Sequence, residues 1–131
     1  MNKVDKVMKA LNVLVIDDSP MTIKIMESVL NELGHIIVGT EHSGEGALEA
    51  YRECKPDLVT MDIVMPVVDG IEATKQIIAE FPDAKIIIVS SLSQDLVVQD
   101  TLKWGAQGFV IKPITAEALD KQIKLIFEST E

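Results

Sequence analysis

Leu58-Val59-Thr60-Met61-Asp62 is the stretch that decides the architecture. A short, largely apolar and partly β-branched run ends in a carboxylate. Runs of this length and composition read as buried strands of a parallel sheet rather than as helices. Two other runs share the design. Asn12-Val13-Leu14-Val15-Ile16 ends in Asp17-Asp18, and Phe109-Val110-Ile111 ends in Lys112-Pro113. Open α/β sheets bind their ligands outside the carboxyl ends of the strands. Three acids and one lysine are therefore expected to converge in one crevice. Acids packed that closely repel one another unless a cation joins them. Hard oxygen donors of this kind suit Mg2+, which commonly takes one or two carboxylates together with phosphate oxygens. The pattern points to a phosphoryl group handled on a metal.

Working outward, strand and helix alternate five times. Strands are predicted over 12–17, 36–40, 57–62, 85–90 and 108–112. Ser19-Pro20 opens the first helix as cap and first-turn proline, and Gly34 closes it. Further helices are expected over Ser43 to Glu53, from Gly70 to Phe81-Pro82, over about Asp95 to Trp104, and from Thr115 onward with Leu119, Ile123 and Ile126 facing the sheet. Such alternation predicts right-handed βαβ crossovers and a doubly wound α/β fold with helices on both faces. Residues 1–10 stand apart as a leader. Val4, Val7, Met8 and Leu11 fall at helical spacing there, and a loose leader and a docked extra turn both fit. Residues 11–131 form the predicted domain.

Composition limits the function classes. The chain has 131 residues, 47% hydrophobic, with a formal charge of −9. One packed domain fits that length. The negative balance disfavours nucleic acid and anionic membrane as partners. A single cysteine, Cys54, excludes an internal disulfide and points to a reducing compartment. No apolar stretch approaches the ~20 residues that span a bilayer, and the N-terminus lacks the apolar core of a signal peptide. A cytoplasmic protein without membrane insertion is the expectation.

The acids and lysine together resemble a known family. Asp17-Asp18 after the first strand, Asp62 after the third, Met65-Pro66 with Asp69-Gly70 behind it, Ser90 after the fourth and Lys112-Pro113 after the fifth resemble the receiver domain of two-component response regulators, the CheY-like group. The resemblance spans about residues 12 to 127. It implies a five-stranded, flavodoxin-like sheet of order 2-1-3-4-5, an order for which CheY is a known example. It also implies roles. Asp62 would be the nucleophile that takes a phosphoryl group from a phosphohistidine of a histidine kinase. Asp18 would ligate Mg2+ directly and Asp17 mostly through water, with the backbone carbonyl of Val64 as a further ligand. Lys112 would pair with a phosphoryl oxygen and Asp62. Ser90 would bond the new phosphoryl group through its hydroxyl. Pro113 matches the family's cis proline, and Phe109 the position of its switch aromatic. Trp104 adjoins the face through which such domains signal, formed by the helix over 95–104, strand five and the helix from Thr115. That face, with Lys121 and Lys124 nearby, is where a downstream target would dock. Val64 and Leu92 occupy the positions that border the approach of hydrolytic water. Neither side chain can hydrogen-bond a water, so the resemblance implies a long-lived phosphorylated form and an auxiliary phosphatase.

Plainer roles exist for each residue. A lone strand-end Asp often caps a helix, Ser90 can cap the helix that follows, Lys112 can be a solvated loop lysine, and Phe109 can be strand core. Trp104 can be a half-exposed helix-end aromatic. His35 and His42 read as surface histidines. Two adjacent acids matched by a third after the neighbouring strand outweigh the capping reading. Three classes then compete. A phosphorylation switch, which is not an enzyme in the usual sense, needs the residues present; chemotaxis is the expected pathway, with a phosphorelay intermediate or adaptor outside chemotaxis as the alternative. A Mg2+-dependent aspartyl phosphohydrolase needs an Asp-x-Asp spacing and a cap domain, and Asp17 and Asp18 are adjacent. A flavodoxin-like carrier needs a Ser/Thr-rich phosphate loop where these acids stand. The chain stops soon after its last helix, so output is expected through docking. The sequence does not name the kinase, the target or the oligomeric state.

Overall fold

A computed structural model describes residues 9–91, 99 and 102–128. Five strands form one sheet: β1 (Asn12–Ile16), β2 (Ile36–Glu41), β3 (Leu58–Met61), β4 (Ile86–Ser90) and β5 (Gly108–Ile111). Their order is β2-β1-β3-β4-β5, and every neighbouring pair is parallel. Four helices are defined among the described residues: α1 (Pro20–Glu32), α2 (Ala47–Cys54), α3 (Gly70–Glu80) and α4 (Ala116–Glu128). The sequence-predicted order and layering are those of the structure. Of the helix predicted over 95–104, Gln99, Leu102 and Lys103 are helical and the other residues before Trp104 lie outside the described set. Of the leader, residues 1–8 lie outside it too, and Lys9 and Ala10 are exposed.

Alternation along the strands sorts the core into two layers. Val13 and Val15 of β1 pack with Ile23, Met26 and Leu30 of α1 and with Leu119 and Ile123 of α4. Leu14 and Ile16 pack on the opposite face with Ala47 of α2 and with Ala73 and Ile77 of α3. Both sheet faces are covered, which is why β4 is apolar at four successive positions, Ile86 to Val89, and buried at all of them. Caps set the helix starts. Ser19 Oγ accepts from Thr22 N–H, an Asp69 carboxylate oxygen accepts from Glu72 N–H, and Thr115 Oγ1 accepts from Ala118 N–H.

Two expectations are corrected. α2 begins at Ala47, not Ser43. Residues 43–46 form bends and turns in a loop that lies against the loop after β3, where a Cβ on Gly44 would collide with the Val68 carbonyl oxygen. His35 is not a surface histidine. It is buried, and its Nδ1 accepts the Leu11 N–H at 3.0 Å. Burial holds its imidazole below the ordinary 6.5, with Asp120 acting in the opposite sense. β2 carries a further feature at the sheet edge. Its register slips between Ile37 and Gly39, so Val38 is an extra, bulged residue. Such a bulge blunts an open edge against pairing with another strand.

Candidate functional site

The strand order reverses between β1 and β3, and the crevice opens beyond their carboxyl ends. Asp17 and Asp18 follow β1 and Asp62 follows β3, so the sheet delivers all three acids to the same place. Each offers a carboxylate oxygen, and these oxygens lie within 4.8 Å of one another. Asp17 and Asp62 are buried, whereas Asp18 faces solvent. Main-chain bonds hold the positions. Asp17 N–H donates to Glu41 O at 3.0 Å, and Asp62 N–H donates to Ile16 O at 2.9 Å. Asp17 Oδ1 accepts from Ser19 N–H at 2.9 Å, which ties the acid to the start of α1. Gly70 closes the loop behind Asp62, where a Cβ would collide with the Asp62 carbonyl oxygen.

Lys112 arrives from the end of β5. Its Nζ lies 3.1 Å from Asp17 Oδ2 and 3.5 Å from Asp62 Oδ1. Its own N–H donates to Ser90 O at 2.9 Å, so β4 and β5 fix the lysine and the serine together. The Lys112–Pro113 peptide is cis. Ser90 ends β4 and is buried. Phe109 is half-buried against the layer containing Met61, Ile63 and Ile88, and its N–H donates to Gln122 Oε1 of α4 at 3.2 Å. Val64 and Val67 project from the loop after β3, 60% and 84% exposed. Leu92 lies outside the described residues.

One ammonium does not neutralise three carboxylates. Burial and then the neighbouring Asp17 push the Asp62 carboxyl up to about 6, and Lys112 pulls the other way. The arrangement is short of positive charge at the point where hard oxygen donors meet, which fits Mg2+. A surface groove of about 710 Å³ between α1 and the start of β2 has no comparable donor set among the described residues.

Trp104 is half-exposed just after the helical residues 102–103. Its ring stacks against Lys75 of α3, 4.0 Å from the ammonium to the ring centre, a contact that the sequence did not indicate. Sequence reasoning also missed Gln107. Its side chain accepts from Ile86 N–H at 2.7 Å and donates to Ala84 O at 3.0 Å, locking the entry to β5 onto the start of β4. A glutamine next to a turn carries no pattern that would mark this role.

The comparisons agree with the geometry. Over 116 residues the chain is 39% identical to the chemotaxis protein CheY of Thermotoga maritima, covering 86% of this chain and 97% of that one. It is 43% identical over 102 residues to Protein CcdB of Bacillus subtilis, covering 77% and 84%. The crystal structure of the CheX–CheY–BeF3–Mg2+ complex from Borrelia burgdorferi superposes with a TM-score of 0.86 at 31% identity, over 95% of this chain and 94% of that one. No helix among the described residues is long and apolar enough to cross a membrane. Residues 13–124 match the response regulator receiver domain, and with the acids, the serine and the lysine standing at the strand ends where that fold keeps its crevice, the chain belongs to that family.

Proposed function

We propose that this receiver domain is switched by phosphorylation of Asp62, with Mg2+ held by Asp17, Asp18, Asp62 and the Val64 carbonyl. The observation that carries the reading is the crevice itself: three carboxylates within 4.8 Å, two of them sharing Lys112. The donor is a phosphohistidine of a histidine kinase. A carboxylate oxygen of Asp62 attacks phosphorus, and the phosphorus–nitrogen bond breaks as the new bond to oxygen forms. The leaving imidazole keeps the electron pair and takes up a proton. The metal, when bound, supplies positive charge to the acids and to the transferred oxygens. Lys112 already reaches Asp62 and can pair with a transferred oxygen. Ser90, at the adjacent strand end, offers its hydroxyl to another.

Intact mass after incubation with acetyl phosphate tests this. Wild type with Mg2+ should gain one phosphoryl group, while Asp62→Asn, or wild type in chelator, should gain none. Uptake by either would overturn the assignment. Release of phosphate from many small esters over many turnovers would instead identify a phosphohydrolase.

Signal output belongs to the β5–α4 side, where Phe109 and Gln122 join the strand to the helix. Chemotaxis is the pathway supported by the likeness to the Thermotoga and Borrelia proteins. The 36% identity over 110 residues to the probable C4-dicarboxylate response regulator DctR of Halalkalibacterium halodurans supports a role outside chemotaxis as the second reading. A pull-down with phosphorylated and unphosphorylated protein separates them by the partner retained only in the phosphorylated form.

The phosphorylated state is long-lived and is cleared by a partner phosphatase, because Val64 and Leu92 offer no group to orient water. Phosphate loss after donor removal should be about tenfold faster, or more, in Val64→Asn with Leu92→Glu. Equal rates would show that these positions do not set the lifetime.

A further inference from the structure

We propose that Lys75, Lys103 and Trp104 form a docking surface for an acidic segment of a partner protein. The patch lies at the turn leading into β5, on the amino side of the strand, whereas the Asp62 crevice lies beyond the carboxyl ends. It does not rest on the phosphorylation reading.

Two different elements bring positive charge to one indole. Lys75 of α3 places its ammonium 4.0 Å from the Trp104 ring centre, and Lys103 places its own at 5.8 Å. Both distances lie in the range of cation–π attraction. Trp104 is still 36% exposed, and the Lys75 side chain 40%. Leu102 beside them is exposed as well. An exposed tryptophan flanked by two cations has the composition of an interface anchor.

The platform is held before any partner arrives. Gly105 adopts φ 113°, and a Cβ there would stand 2.9 Å from Ile78 Cγ1, so the turn lies tight on α3. Ala106 is buried, and Gln107 is bonded to β4 and the residues before it. A surface ordered in advance loses little conformational freedom on binding.

Charge selects the occupant. The chain carries −9 overall, yet two ammonium groups crowd this ring. Glu72 stands 3.9 Å from Lys75, a long ion pair, and Lys103 has no ion-pair partner among the described residues. Two carboxylates one helical turn apart, roughly 5–6 Å between their Cβ atoms, can meet both cations. An apolar residue between them would cover the indole. A nucleic acid also offers anions, but the net charge of the whole domain repels a polyanion of that length.

The test uses the full chain and a synthetic helical peptide with glutamates four residues apart and leucines on the same face. Trp104 is the only tryptophan, so its fluorescence reports the patch directly. Saturable change with this peptide is expected, but not with its lysine–leucine counterpart. The response should weaken at roughly 0.5 M salt. Lys75→Glu with Lys103→Glu should weaken binding by about tenfold or more. Lys9→Glu with Lys24→Glu, at exposed lysines outside the patch, should leave it unchanged. Circular dichroism checks folding, and Lys75→Gln with Lys103→Gln replaces the charge-reversed pair if that pair fails to fold. No saturable response, equal affinity in the Lys75/Lys103 variants, or stronger binding of a single-stranded oligonucleotide of matched charge would overturn the proposal.

Discussion

The two ends of the sheet are built on opposite electrostatic terms. At the amino end, polar groups find partners within the chain. Asn12 N–H donates to Asp57 Oδ2 at 2.8 Å while Asp57 N–H donates to Asn12 O at 2.7 Å. Leu11 N–H is received by His35, and Gln107 clamps β4 to β5. At the carboxyl end the pattern reverses. Three acids meet there, only two of them paired with Lys112, and Asp62 is pushed up to about 6. Val67, a β-branched residue, takes φ 68° in the loop after Asp62. The amino end is satisfied by its own residues. The carboxyl end holds unbalanced charge and a strained turn. That division separates scaffold from site, and it can be broken experimentally at either end.

The largest stability effect is expected at the scaffold end. Gln107→Ala leaves Ile86 N–H and Ala84 O without their side-chain partner, a loss of roughly 1–2 kcal/mol. Urea denaturation should show it, and phosphoryl uptake at Asp62 should be unchanged in the folded variant. A variant as stable as wild type, or one that folds but no longer takes up phosphate, would blur the distinction between the ends.

The sequence makes the site legible for a physical reason. Strands buried on both faces must be apolar throughout, so a charge at a strand end stands out against the run before it. Asp17, Asp18, Asp62 and Lys112 are visible that way, and the same runs predict the sheet. What stays hidden depends on contacts distant along the chain. The loop before α2 packs with Gly44 against the Val68 carbonyl. The burial of His35 depends on Leu11, which lies beside it only after β1 and β2 pair. The Trp104 stack on Lys75 needs α3 and the turn before β5 to be neighbours first. No local periodicity encodes any of these.

His35 offers a smaller test at the scaffold end. Its imidazole is held below 6.5 in the fold, mainly by burial. Between 6.5 and that lower value, the unfolded chain binds more protons than the folded one. Stability from this group therefore falls as pH drops through 6.5 and levels out beneath the folded value. Protonated Nδ1 can no longer accept the Leu11 N–H, a loss of about 1 kcal/mol. Asp62 titrates nearby with the opposite sign, since its raised value makes the fold gain stability as pH falls from about 6. The difference between wild type and His35→Gln cancels Asp62 and isolates the histidine. That difference should shrink between pH 7.5 and pH 5.5 in thermal melts. A constant difference would show that His35 does not titrate against the fold.

The smallest effect is expected at the site end, and its sign is the informative part. Val68 N–H donates to Pro66 O at 2.8 Å, closing a three-residue γ-turn with Val67 at its centre. A positive φ at the centre of such a turn is rare and strained. It is especially unfavourable for a β-branched residue, whose Cβ crowds the backbone there. Val67 is 84% exposed, so its side chain contributes little burial to offset that strain. Asparagine tolerates left-handed backbone better than any β-branched residue does. Val67→Asn should therefore stabilise the fold by about 0.5–1 kcal/mol, opposite in sign to Gln107→Ala at the other end. Val67→Ala, which loses the branching but still carries a Cβ, should gain less. Denaturant midpoints for the three proteins decide the matter. An asparagine variant no more stable than wild type would mean that the loop relaxes freely, and that strain at the site end is not part of what sets it apart from the scaffold.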